Sequence, residues 1–214
     1  MMNPSDITLQ QSFPAVMVPR SSEVAPMERQ GERLLVAQNG VYLEIVRPWV
    51  RLVRKLGGYD HKTPIPYGDM AEETALHCGR LPVELIRQFA DMAMAAYPKE
   101  TGAWIVWNAA THLFRLVPVT IREHSESHLR YDRPCLSTDD VLVVDCHSHG
   151  PSPAYFSPTD DEDDRYDVKF AFVLGNCVSP VPSMALRLCA KGIFEPVEPV
   201  PSDWYRAVRR KELS

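Results

Sequence analysis

His147 and His149 stand one residue apart, with Ser157 after a further seven residues and Asp160 after two more. Two imidazoles and a carboxylate are the donor set of a hydrolytic zinc site, here with a hydroxyl placed among them. The run directly follows an unbroken apolar segment, Val141-Leu142-Val143-Val144, which reads as a buried strand. Side chains alternate along an extended chain, so His147 and His149 point the same way and can share one ion. Asp160 can supply a third, oxygen ligand from the turn or helix that follows. Three protein ligands with the fourth position open describe a catalytic rather than a structural zinc. A His-x-His pair alone is weak evidence, since most such pairs are surface or core histidines. The Ser and Asp at fixed offsets, and the placement at the carboxyl end of a strand, give the spacing its weight.

Those ligands need a scaffold. Ile86, Phe89, Ala90, Ala93 and Tyr97 form one apolar stripe, predicting a helix from about 82 to 97 that opens at Pro82 and is stopped by Pro98. Strands are expected over 103–108, 113–119, 141–146, 168–174 and 185–190. The fold class is therefore α/β (α+β), a mixed β-sheet flanked by helices. Upstream, residues 1–31 read as a partly ordered arm. Residues 33–38 and 41–46 flank Asn39-Gly40, a signal for a hairpin with a type I′ turn. Trp49, Leu52, Val53 and Leu56 follow at helical spacing, with Gly57-Gly58 ending the helix. Residues 32–69 are thus expected to be a hairpin-helix extension and linker, 70–200 the main domain, and 201–214 a basic carboxyl-terminal helix bearing Arg206, Arg209, Arg210 and Lys211.

The spacing His-x-His, seven residues, Ser, two residues, Asp resembles the signature of the JAB/MPN (JAMM) zinc metallopeptidases. That family carries an upstream Glu-Thr-Gly before its first core strand, and Glu100-Thr101-Gly102 stands before Ala103-Trp104-Ile105-Val106-Trp107. The likeness runs from about Leu81 to Val197. The extension, with Leu34 to Gly58, is similar to the PRTRC system protein A branch. One departure is Gly150, where the family usually has Pro after the second His. That is expected to loosen the ligand loop, with Pro151 and Pro153 still stiffening it.

The resemblance implies a cytidine-deaminase-like core, Zn2+ held by His147, His149 and Asp160, and Glu100 as the group that carries a proton from the attacking water to the leaving amine. Read alone, Glu100 could be a solvated loop residue, yet a negative charge beside a helix carboxyl end is unfavourable and invites a reason. Ser157 could donate to the oxyanion of a tetrahedral intermediate, or cap the acidic helix after it. Asp163 or Asp164 could orient a ligand His. His61, His77, His112, His124 and His128 lack ligand spacing and read as structural or exposed. The implied function is cleavage of an amide at the carboxyl terminus of a ubiquitin-like or sulfur-carrier-like protein, with a ubiquitin-like protein and a ThiF/E1-like protein as partners. A zinc hydrolase of small amides and a non-catalytic MPN scaffold remain open beside it.

Composition narrows the setting. A net charge of −5 over 214 residues, with no basic cluster outside the tail, argues against nucleic acid as a ligand. Five scattered Cys without a Cys-x-x-Cys read as reduced core thiols of a cytoplasmic protein. No apolar run is long enough to predict membrane insertion.

Overall fold

The structure, a computed structural model, describes residues 3–209. The chain divides into two compact units between Gly79 and Arg80. The first runs α1 (Pro4–Ser12), β1 (Ala15–Met17), β2 (Gly31–Ala37), β3 (Gly40–Arg47), β4 (Val50–Gly57) and β5 (Glu73–Leu76). Its five strands lie side by side in chain order. β1 joins β2 in parallel, and the other pairs are antiparallel. The expected hairpin-helix is corrected here, because Leu52, Val53 and Leu56, predicted to be helical, lie in β4, and Trp49 lies in the turn before it. Val50, Leu52, Val53 and Arg54 are all buried, so both faces of this strand are covered and no clean alternation survives in the sequence. The spacing of 49, 52, 53 and 56 imitated a helix by coincidence.

The hairpin turn also shifts by one residue. Ala37 pairs with Gly40, which leaves Gln38-Asn39 as the turn. Asn39 instead uses its side chain, donating to the Met70 carbonyl and accepting from the Met70 N–H. Gly40 sits at φ 144°, where an added Cβ would lie 2.4 Å from the Gly57 carbonyl oxygen. A glycine is needed there for close approach between strands rather than for a positive-φ turn pair.

The second unit holds α2 (Val83–Ala96), β6 (Gly102–Asn108), β7 (Leu113–Pro118), β8 (Thr120–His124), β9 (Leu129–Asp132), β10 (Asp140–Ser148), α3 (Pro158–Asp164), β11 (Val168–Gly175), β12 (Ser183–Ala190), β13 (Ile193–Pro196) and α4 (Ser202–Val208). Six strands form a mixed sheet in the order β13-β12-β11-β10-β6-β7, and β8-β9 is a separate ribbon. β10 lies centrally, parallel to β11 and antiparallel to β6. With its helices, the fold is α+β.

α2 buries Leu85, Ile86, Phe89, Ala90 and Ala93, a stripe at helical spacing. Phe89 meets Phe172 of β11 edge-on at 6.0 Å, and Phe172 meets Trp204 of α4 at 5.2 Å. That face of the sheet is apolar. On the other face Trp104 and Val106 cluster with Val119, Ile121, Tyr131 and Leu142, so the β8-β9 ribbon covers one end of it. The rest of this face is charged, because Asp145, Ala171 and Arg187 lie in one cross-strand row. α4 ends at Val208 with Arg209 as its cap; Arg210 and Lys211 of the expected basic helix lie outside the described residues.

Candidate metal centre

The charged face presents a cleft of 380 Å³ lined by Glu100, His147, His149, Ser157 and Asp160. β10 places the histidines. His147 pairs with Gly102 of β6, and the ladder continues through Ser148 and Thr101: the Ser148 N–H donates to the Thr101 carbonyl at 2.9 Å. The Thr101 N–H in turn donates to Ser148 Oγ at 3.0 Å. Following this antiparallel register, Glu100 falls opposite His149, on the side shared by both histidines. Strand geometry therefore brings residue 100 to residues 147–149 across 47 positions of chain.

The ring nitrogens converge. His147 Nε2 and His149 Nε2 face each other at 3.2 Å, and Asp160 Oδ1 lies 3.6 Å from His147 Nε2. The ligand atoms of all three residues lie within 4.8 Å of one another. Two nitrogens bound tetrahedrally at zinc distances stand about 3.3 Å apart, so the observed spacing fits a shared ion. His149 Nδ1–H donates to the Pro153 carbonyl at 3.0 Å, which fixes the tautomer with a lone pair on Nε2. Burial pushes the His147 pKa down, although the Asp160 charge opposes it, and a neutral imidazole is the ligand form. The described residues therefore suit zinc in donor type and spacing.

Asp160 is held by a reciprocal cap. Ser157 Oγ accepts from the Asp160 N–H at 3.2 Å and donates to Asp160 Oδ2 at 2.7 Å, while the Ser157 N–H donates to the same oxygen at 2.6 Å. Oδ2 is occupied by these two donors, and Oδ1 is the oxygen turned to His147. The hydroxyl proton of Ser157 is thus engaged with the carboxylate, the capping arrangement. Glu100 is only 8% exposed. Burial, and then the neighbouring Asp160 charge, lift its carboxyl from the ordinary 4.5 to about 7. A carboxyl of that pKa exchanges protons near neutrality. Its backbone is tethered, with its N–H donating to the Ser125 carbonyl and its own carbonyl accepting from His124 Nδ1 at 2.8 Å.

Gly150 acts differently from the loosened link expected of it. It sits at φ 49°, and a Cβ would lie 2.2 Å from the Pro98 carbonyl oxygen, so the ligand loop passes tightly against the segment that leads into Glu100. A proline could not adopt that φ. The Gly150 carbonyl accepts from the Cys177 N–H at 2.9 Å.

Asp164 does not orient a histidine. It pairs with Lys169 Nζ and Arg187 Nη2, each at 2.8 Å. Burial pushes its pKa up, but these cations overcome that and hold it below the usual carboxylate range. Lys169 also pairs with Asp145 at 2.6 Å and Asp167 at 3.2 Å. Lys169 and Arg187 escaped the sequence reading; a lone Lys and a lone Arg inside otherwise apolar strands were the available signal. His124 and His128, read as structural or exposed, respectively tether the Glu100 backbone and line the cleft.

Residues 3–77 match a domain of unknown function (DUF2016). Residues 82–189 match the family described as prokaryotic homologs of the JAB domain. No curated protein matches the chain. Among solved structures it is similar to the solution structure of protein DSY2949 from Desulfitobacterium hafniense. That likeness has 16% identity and a TM-score of 0.41, over 54% of this chain and 86% of the other. Among the described residues, no helix is long and apolar enough to cross a membrane. The match over 82–189 covers half of the chain and includes the whole converging set from Glu100 to Asp160, and by it the chain belongs to the prokaryotic homologs of the JAB domain.

Proposed function

We propose that this chain is a zinc-dependent isopeptidase or peptidase that hydrolyses an amide at the carboxyl terminus of a ubiquitin-like or sulfur-carrier-like protein. The observation that carries the reading is the convergence of His147, His149 and Asp160 in one cleft with Glu100. His147 Nε2, His149 Nε2 and Asp160 Oδ1 would hold the ion. Zinc bound there would supply Lewis acidity, polarising the amide carbonyl and acidifying the attacking water. Glu100 takes the proton of that water and returns it to the leaving nitrogen, a task suited to a carboxyl near 7. Ser157 holds Asp160 in place and, on turning its hydroxyl away from Oδ2, donates to the oxyanion.

The likeness to the PRTRC system protein A branch supports a ubiquitin-like protein as substrate and a ThiF/E1-like protein as neighbour. Leu129, Arg130 and Tyr131 of β9 line the cleft, and the ribbon offers strand backbone against which an extended tail can pair. A second reading, hydrolysis of small amides, is favoured by the cleft volume of 380 Å³, which is within the range of small-molecule pockets. Fusions ending in Gly-Gly and in Val-Val, with free small amides as a third substrate, separate the two. The expected result is preferential cleavage of the Gly-Gly fusion. Equal cleavage of both tails, or activity on small amides alone, selects the small-molecule hydrolase. Zinc binding without cleavage of any substrate selects the scaffold.

A further inference from the structure

α3 carries Asp160, yet in its sequence, Pro158-Thr159-Asp160-Asp161-Glu162-Asp163-Asp164, the only apolar side chain is that of Pro158, which is exposed. Asp164 is the one residue it buries. Seven residues are too few for a helix to persist on propensity alone. Acids in its last turn, with no base among them, oppose the helix dipole. Something other than hydrophobic burial keeps this helix where Asp160 can reach His147.

Arg187 of β12 is placed to do it. Its guanidinium lies between two rings, 4.0 Å from the Phe156 centroid and 4.3 Å from that of Phe194. Nη1 pairs with Asp161 and Nη2 with Asp164, while Nε finds no partner among the described residues. Phe156 immediately precedes the Ser157 cap. Arg187 therefore grips the chain on both sides of Asp160, at residues 156, 161 and 164. Lys169 completes the link, joining Asp164 on α3 to Asp145, which shares a face of β10 with His147.

We infer that Arg187, assisted by Lys169, is a positioning residue for Asp160: it docks an otherwise anchorless helix so that a carboxylate from α3 meets two imidazoles from β10. This rests on the metal reading proposed above. A planar cation that packs on two rings and reaches two carboxylates at once is required, so lysine is a poor substitute.

The test is zinc affinity by chelator competition for wild type, R187M, R187K, D160A and the double variant D160A/R187M, with circular dichroism and a melting curve for each. R187M is expected to stay folded and to bind zinc about 10–100-fold more weakly, the usual cost of losing a group that orients a ligand. R187K should fall between R187M and wild type. In the D160A background, R187M should add less than about twofold, because Asp160 is no longer there to be positioned. Equal losses with and without Asp160 would make Arg187 a general stabiliser and overturn the inference, as would undiminished affinity in both R187M and R187K. If R187M does not fold, R187K compared with D160A/R187K makes the same cycle. A wild-type chain that binds no zinc would defeat the metal reading and the inference together, whereas the other failures leave the metal reading standing.

Discussion

Each unit buries charge, and the two do so to different ends. In the first, Glu44 is fully buried between Arg33 and Arg51 on neighbouring strands. Arg33 also donates to the Ala25 carbonyl, and Arg51 pairs with Glu73. The carboxylate oxygens are met by guanidinium groups on a continuous sheet. In the second unit the Lys169–Asp164–Arg187 network is equally buried, but it borders a cleft in which two imidazole nitrogens face each other across 3.2 Å. With its Nδ1–H given to the Pro153 carbonyl, His149 turns a lone pair on Nε2 towards His147, and that contact needs either a proton on His147 Nε2 or a shared cation between the rings. The first network closes on itself, whereas the second stands beside three ligand-type side chains whose donor atoms lie within 4.8 Å of one another.

Removing ligands should break that comparison most sharply. H147A and D160A are each expected to purify with well under one zinc per chain by elemental analysis, D160A keeping a weaker two-histidine site that chelator competition still reads, whereas E44A should leave the zinc content at about one per chain. Full zinc in both ligand variants would reduce the second network to architecture like the first.

E100Q should keep the metal and lower the hydrolysis rate by about 10²–10⁴-fold, the usual worth of a general acid–base group. A loss below about tenfold would assign the proton to another residue.

For E44A the expectation is a stability loss of about 3–5 kcal/mol, since two guanidinium groups lose a shared buried partner. Denaturant unfolding of the whole chain, followed for the transition of the first unit, reads this. A negligible loss would mean that water replaces the carboxylate.

The smallest effect concerns pH in the metal-free protein. Glu100 has a folded pKa of about 7, above its ordinary 4.5, so the native state binds the proton more tightly than the unfolded one. Its contribution is therefore complete below about pH 4.5 and lost as pH rises through 7, an amount of about 3 kcal/mol at most. The stability difference between wild type and E100Q should favour wild type more at pH 5 than at pH 8. A difference that does not vary with pH would place the Glu100 carboxyl in water.

Much of the second unit was legible because its signals are local. α2 declared itself by a stripe, and β6, β10, β11 and β12 by apolar runs close to their observed bounds. His147, His149, Ser157 and Asp160 lie within one short stretch of chain, and Glu100 is recognisable by its Thr-Gly neighbours. The β8-β9 ribbon escaped notice because Arg122, Glu123, His124, Arg130 and Asp132 give it no apolar run. β4 was misread because burial on both faces erases the period of two. The Lys169–Arg187 network left only a lone Lys and a lone Arg in apolar strands as its trace in the sequence. Its members come from β10, α3, β11 and β12 and meet only through strand register, a property of the folded sheet.

The composition of α3 has a calorimetric consequence. Heat-capacity change follows the apolar area removed from water, and this helix, whose one buried residue is Asp164, has little to remove. Zinc binding that tightens α3 on its Arg187 anchor should therefore carry little negative ΔCp, with a binding enthalpy nearly independent of temperature. A helix anchored by leucines would show a slope.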